Sequence, residues 1–233
     1  PEKIRSKIRK ANVTRMRNKL LLQTQRGLKI NPDKILFSMI HRVSEQKGFH
    51  LLLEASEGIF KSLGFQGIIG GPVAPGDKIG EEIANGLMTL NDYYRGSVSV
   101  SIGFQDISAP LLASDIFLMP SLYEPGGISQ LEALSCGCLV VARATGGLRD
   151  TIHPIRMKGY IVDGNGFLFT DYNPHSFFEA MQRALSFFKS SDENIQHRAR
   201  QNAIKSVYYW DESAKKYIDT IYSFKEITPV LQE

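Results

Sequence analysis

Two rhythms of apolar positions alternate along this chain. Short runs of strand length, most of them apolar, recur at ILFSMI (35–40), QGIIG (66–70), SVSVSI (97–102), IFLMP (116–120) and CLVVA (138–142). Between them lie stretches of helical period: KGFHLLLEASEGIFKSL (47–63), GEEIANGLMTLNDYY (80–94), SAPLLASD (108–115) and GISQLEALSCG (127–137). A further clear helix is SFFEAMQRALSFFKS (176–190). Ahead of the first strand, residues 3–26 read as a helix with Ile4, Ile8, Val13, Met16 and Leu20 on one apolar stripe. Gly27 and then Asn31-Pro32-Asp33 end it. A short helical turn is expected over 146–152, and one or two short strands around Gly164 and Gly166. Two helices are expected over 192–207 and 211–224.

Strand and helix in alternation at this spacing predict an α/β fold, a Rossmann-like parallel sheet with helices on both faces. The runs ILFSMI, IFLMP and CLVVA are apolar at nearly every position, as strands covered on both sides require. In such sheets a ligand sits beyond the C-terminal strand ends, over helix N-termini. The residues that follow each strand are therefore the informative ones.

After ILFSMI come Arg42 and Lys47, two cations on one strand-to-helix loop. A planar fork and a mobile point charge suit a diphosphate, and two solvated surface cations are the plainer alternative. After SVSVSI comes Phe104, which either stacks on a base or packs in the core. After IFLMP comes SLYEPGGISQLE (121–132). Gly126 and Gly127 leave backbone amides bare at the start of a helix, an arrangement that attracts anions. Glu124 and Glu132 flank that turn, and carboxylates accept paired hydrogen bonds from sugar diols. After CLVVA comes a second glycine turn, Thr145-Gly146-Gly147. Together the four strand ends describe a site for a nucleoside diphosphate joined to a sugar. No Gly-x-Gly-x-x-Gly follows the first strand and no GxxxxGK[ST] occurs, which removes a dinucleotide fingerprint and a P-loop.

Composition changes this picture little. The chain has 233 residues, with 42% hydrophobic and 22% charged. Those figures suit a soluble globular protein with room for a full core. No apolar run approaches a membrane span, and the basic N-terminus does not read as a signal peptide, so a cytoplasmic location is expected. Cys136 and Cys138 are read as buried thiols at a helix-to-strand junction, without partners for a metal. Residues 1–34 hold eleven Lys/Arg against two acids, although the whole chain is only +4. A basic arm either binds a polyanion or is a solvated helix. It carries no aromatic residue to stack on a base, so the solvated helix is preferred and no nucleic-acid partner is expected. Of the histidines, only His41 lies near the proposed site; His153 is expected on the surface.

Several stretches resemble one family. They are NKLLLQTQRGLKI (18–30), HRVSEQKGFHLLLEA (41–55), SVSIGFQDISAPLLASDIFLMPSLYEPGGISQLEAL (99–134), TGGLRDTI (145–152), GNGFLF (164–169) and YWDESAKKYIDTIY (209–222). They span most of the chain and look like the C-terminal domain of a bacterial glycogen synthase or starch synthase, a retaining glucosyltransferase of the two-domain GT-B fold. The Glu124/Glu132 spacing resembles the paired acids of retaining GT-B transferases more broadly.

The resemblance implies roles. Arg42 and Lys47 would bind the donor diphosphate and stabilise the departing nucleoside diphosphate, and Glu124 would hydrogen-bond the donor glucose. The amides of Gly127, Ile128 and Ser129, next to Gly126, would hold the distal phosphate. Phe104 would pack on the base, Glu132 would take the ribose, and Thr145 and Gly146 would lie near the sugar or phosphate. No metal is implied, because Arg and Lys take its place. The donor would be ADP-glucose or UDP-glucose and the acceptor an α-glucan. Departures at His41, Gly126 and Glu132, and in the GGPVAPGDK loop (70–78), leave both donors open. They also leave related transferases of the sucrose or trehalose synthase type open, and a non-catalytic binding module remains a rival.

The resemblance further divides the chain. Residues 1–34 would be a basic helix and linker from an absent N-terminal domain, 35–190 the donor-binding domain, and 191–233 helices that pack back toward the absent half. Trp210 and its neighbours, or the first helix, are then expected to expose apolar surface. A cytoplasmic or plastid location would follow, with no membrane partner.

Overall fold

The computed structural model describes residues 2–207 and 210–225. Its centre is a six-stranded, wholly parallel sheet. The strands are β1 (Leu36–Ile40), β2 (Gln66–Gly71), β3 (Val98–Ile102), β4 (Ile116–Met119), β5 (Leu139–Arg143) and β8 (Gly166–Phe169), in the order β3-β2-β1-β4-β5-β8. A small antiparallel hairpin, β6 (Arg156–Lys158) with β7 (Ile161–Asp163), precedes the last strand. The chain runs outward from β1 to β3, then returns to β4 beside β1 and runs outward the other way. This is a doubly wound sheet whose order reverses between β1 and β4.

Strand β1 shows why both faces are covered. Leu36 and Ile40 pack with Ile68 against Leu22 and Ala113 on one side. Phe37 and Met39 enter the larger core on the other, among Phe49, Phe60 and Phe65. The first face is covered by α1 (Glu2–Gln25), α4 (Ser108–Ala113), α5 (Ser129–Ser135) and α8 (Glu193–Lys205). The second carries α2 (Phe49–Glu54), α3 (Lys78–Tyr93) and α7 (Pro174–Ser190). Helix starts are set locally. Asp77 accepts the amide of Gly80, Asn173 that of Ser176 ahead of Pro174, and Asp192 that of Ile195. A short α6 (Gly146–Thr151) follows β5, and α9 (Trp210–Lys225) ends the described chain.

Three expectations need correction. Residues 47–63 do not form one regular helix. A 3-10 turn (Glu45–Lys47) leads into α2, and the stretch closes in a wide π turn (Gly58–Ser62). The apolar stripe assigned to α1 does not face the core: Val13 is 59% exposed and Met16 46%. Ile4 and Ile8 lie outside the residues whose side chains are described. The face that docks is largely polar. Lys19 and Gln23 are buried beside Leu22, while Arg15 donates to the carbonyls of Ser114 and Cys136. Finally, Cys138 is buried but Cys136 is only half-buried.

Candidate functional site

The reversal between β1 and β4 sends the loops that follow them in opposite directions and opens a crevice at their C-terminal ends. The β1 loop carries Arg42 and Lys47, and the β4 loop carries Ser121 and Glu124. Across the crevice Lys47 Nζ lies 2.6 Å from Glu124 Oε2, and Ser121 Oγ donates to the same oxygen at 3.1 Å. Glu124 Oε1 accepts from no donor among the described residues. The carboxylate is thus fixed through one oxygen and free to accept through the other.

Arg42 is exposed and reaches Gln46 Oε1 at 3.2 Å. Gln46 in turn pins the two loops together. Its side chain donates to the Tyr123 carbonyl at 3.0 Å, and its own carbonyl accepts the Leu122 amide at 2.8 Å. Arg143, at the end of β5, holds the Leu122 carbonyl from the other side. The sequence had marked Arg42, Lys47 and Glu124; the loop-pinning roles of Gln46, Ser121 and Arg143 had no signature of their own.

The two glycine turns meet. The Gly147 amide donates to the Glu124 carbonyl at 3.0 Å. A Cβ on Gly146 would lie 2.1 Å from that carbonyl oxygen, and one on Gly147 would lie 2.2 Å from the Gly126 oxygen. Only glycine lets these backbones touch. Thr145 caps this turn in extended geometry, half-buried, with Gly146 exposed. The amides of Gly127, Ile128 and Ser129 donate to no acceptor among the described residues. Ile128 is exposed beside them.

Other predicted residues stand apart from this cluster. Phe104 is 96% exposed on the loop after the edge strand β3 and is not a core residue. Glu132 is exposed in the first turn of α5, without a side-chain partner among the described residues. His41 is buried beside the crevice. Its Nε2 donates to the Leu118 carbonyl at 2.8 Å, and its ring packs edge-on to Phe117 and Phe49. Burial, aided by the Lys47 charge, lowers its pKa to about 4 despite that hydrogen bond and Glu124, so the ring is neutral near pH 7. His153 is exposed, as expected.

Two hollows lie elsewhere. One of about 460 Å³ opens at the N-terminal strand ends and is lined by Lys19, Lys34, Phe65 and Asp115. Neither it nor a second one of about 560 Å³ beside His153 and Asn202 includes Arg42, Lys47 or Glu124.

Comparison with known proteins bears on the family and the fold. The family described as glycosyl transferases group 1 matches residues 23–206, and the chain belongs to that family. The fold is that of the GT-B glycosyltransferases. Among curated relatives, the glycogen synthase of Desulfitobacterium hafniense is 37% identical over 205 residues, covering 87% of this chain and 42% of its own length. That of Clostridium perfringens is 38% identical over 202 residues, covering 86% and 40%. The catalytic domain of starch synthase IV from Arabidopsis thaliana, solved bound to ADP and acarbose, superposes with a TM-score of 0.75 at 28% identity. That match covers 88% of this chain and 41% of the other. The chain thus spans about two fifths of the length of these relatives.

Proposed function

We propose that this chain is the donor-binding part of an α-1,4-glucan synthase. In this reading glucose passes from ADP-glucose or UDP-glucose to the non-reducing end of a glucan, with retention of configuration. The observation that carries it is the Lys47–Glu124 contact across the β1/β4 crevice. It joins a phosphate-binding cation to a carboxylate with one free oxygen, at the place where an α/β sheet takes its ligand.

Each residue then has a task. Arg42 and Lys47 receive the charge that grows on the leaving diphosphate as the glycosidic bond breaks, which is where preorganised cations contribute most. With two cations in place the site needs no metal. Glu124 Oε1 accepts from a glucose hydroxyl. The amides of Gly127, Ile128 and Ser129 meet the distal phosphate, with Gly126, Thr145 and Gly146 lining the approach. Phe104 offers its uncovered ring to the base and Glu132 its carboxylate to the ribose. Starch synthase IV binding ADP supports an adenine donor, although the reading stands with either base.

The test is glucosyl transfer to glycogen together with donor binding. The chain alone is expected to bind a nucleoside diphosphate glucose yet transfer nothing, since closure of two domains completes such sites. Measurable transfer by the chain alone would overturn the assignment as a binding part. Binding is expected to be unchanged by EDTA; a loss restored by Mg²⁺ would contradict the metal-free reading.

A further inference from the structure

Gln130, the last residue of EPGGISQ, has no part in the account so far, and its surroundings are unusual. It is fully buried on α5, directly behind the first glycine turn. Its Nε2 donates to the carbonyls of Gly126 at 3.1 Å and Gly127 at 3.0 Å, and lies 3.4 Å from Thr151 Oγ1. Its Oε1 is buried and meets no donor among the described residues. Thr151 Oγ1 donates to the Gly147 carbonyl at 2.7 Å. One side-chain pair therefore grips both glycine turns from behind.

A trans peptide is planar, so its C=O and the next residue's N–H point in opposite directions. Fastening the carbonyls of Gly126 and Gly127 toward Gln130 turns the amides of Gly127 and Ile128 away from it, on the side where they meet no acceptor among the described residues. Gly127 has φ of 76°, and a Cβ there would sit 2.3 Å from Gln130 Oε1. The glycine and the glutamine thus fit as a pair. The Nε2 is the telling detail: it satisfies two backbone carbonyls at once, which an apolar side chain of the same size could not do.

We infer that Gln130, backed by Thr151, is a positioning residue that aims the Gly127 and Ile128 amides at the distal phosphate of the donor. The inference rests on the donor-site reading above and deepens it. Gln130 touches no ligand itself; it acts through the peptide planes it holds. Its effect falls on the distal phosphate and not on the nucleoside or the proximal phosphate.

The experiment compares ADP with AMP, and UDP with UMP, by calorimetric titration of the chain, of Gln130→Met and of Thr151→Val, with thermal unfolding of each. Wild type is expected to prefer the diphosphate. Gln130→Met is expected to narrow that preference about tenfold, the scale of one weakened charge-assisted hydrogen bond, while keeping monophosphate affinity; its unfolding midpoint falls, because two carbonyls lose their donor, and the nucleotides are compared at a temperature where the variant is folded. Thr151→Val is expected to do the same more weakly, and it carries the test if the methionine variant does not fold. An unchanged preference in the folded variants, or equal losses for both nucleotides, overturns the inference while the donor site stands. No diphosphate preference in wild type overturns the donor-site reading, and this inference with it.

Discussion

His41 illustrates how a residue beside a site can belong to the scaffold. The strand-to-loop position made it a candidate for ligand contact, yet the same position lets it cap the Leu118 carbonyl between two phenyl rings. Its consequence is a pH dependence with a definite sign. The folded pKa is about 4 against an ordinary 6.5, so the unfolded chain takes up the proton first as pH falls. Stability is whole above pH 6.5 and is lost between there and pH 4, by about 3 kcal/mol at most. Urea unfolding at pH 7 and pH 4.5 checks this. The loss is expected to shrink in His41→Phe, leaving a remainder from His197, whose pKa is also lowered by burial. An equal loss in the variant would contradict the assignment.

Among elements, α1 departed most from its sequence pattern. Its apolar stripe was the visible signal, but polar side chains bury it, and such docking leaves no periodic trace. Lys19 lies 2.5 Å from Asp115, which also takes Arg200 of α8 at 2.8 Å and the Leu36 amide at 3.0 Å. Arg26 reaches Ser101 and Gln105 at the end of β3. Three of the basic residues read as a solvated face, Arg15, Lys19 and Arg26, are therefore tied to the sheet. Burial would raise the pKa of Asp115, but Lys19 and Arg200 outweigh it and hold it at about 2. Removing this carboxylate strands two buried cations. Asp115→Asn is expected to cost about 3–5 kcal/mol in denaturant unfolding. A cost under about 1 kcal/mol would mean that α1 and α8 do not depend on it.

The central strands β1, β4 and β5, by contrast, were legible almost residue by residue, because apolar runs covered on both faces admit few alternatives, whereas the exposed β6 carried no such run and was missed. The site was legible as a set of strand ends. What the sequence could not supply was contact between distant segments. Nothing in EPGGIS or TGGLRD announces that the two turns touch, since that follows from β4 and β5 being neighbours. Gln46 and Gln130 were missed for the same reason: an amide that holds a carbonyl looks like any other polar residue.

On the scale of the whole molecule, the described residues form one sheet with a core on each face, together with exposed aromatic and aliphatic side chains on the last helix. Trp210 is 88% exposed and Tyr217 71%, with Ile218 and Ile221 also open on α9. Tyr208 and Tyr209 lie outside the described residues. The crevice is open, and this chain spans about two fifths of its relatives' length. If the chain is the donor-binding part proposed above, it is expected to hold its donor weakly, because an open crevice contacts a ligand on fewer sides than a closed one.

Calorimetric titration with ADP, UDP and their glucose conjugates, in wild type and in Arg42→Ala and Lys47→Ala, tests the account most directly. Wild type is expected to bind with a dissociation constant of about 0.1–1 mM and to prefer one base. Both variants are expected to lose measurable binding. Binding that survives undiminished in both would place the diphosphate away from the β1/β4 crevice and contradict the assignment.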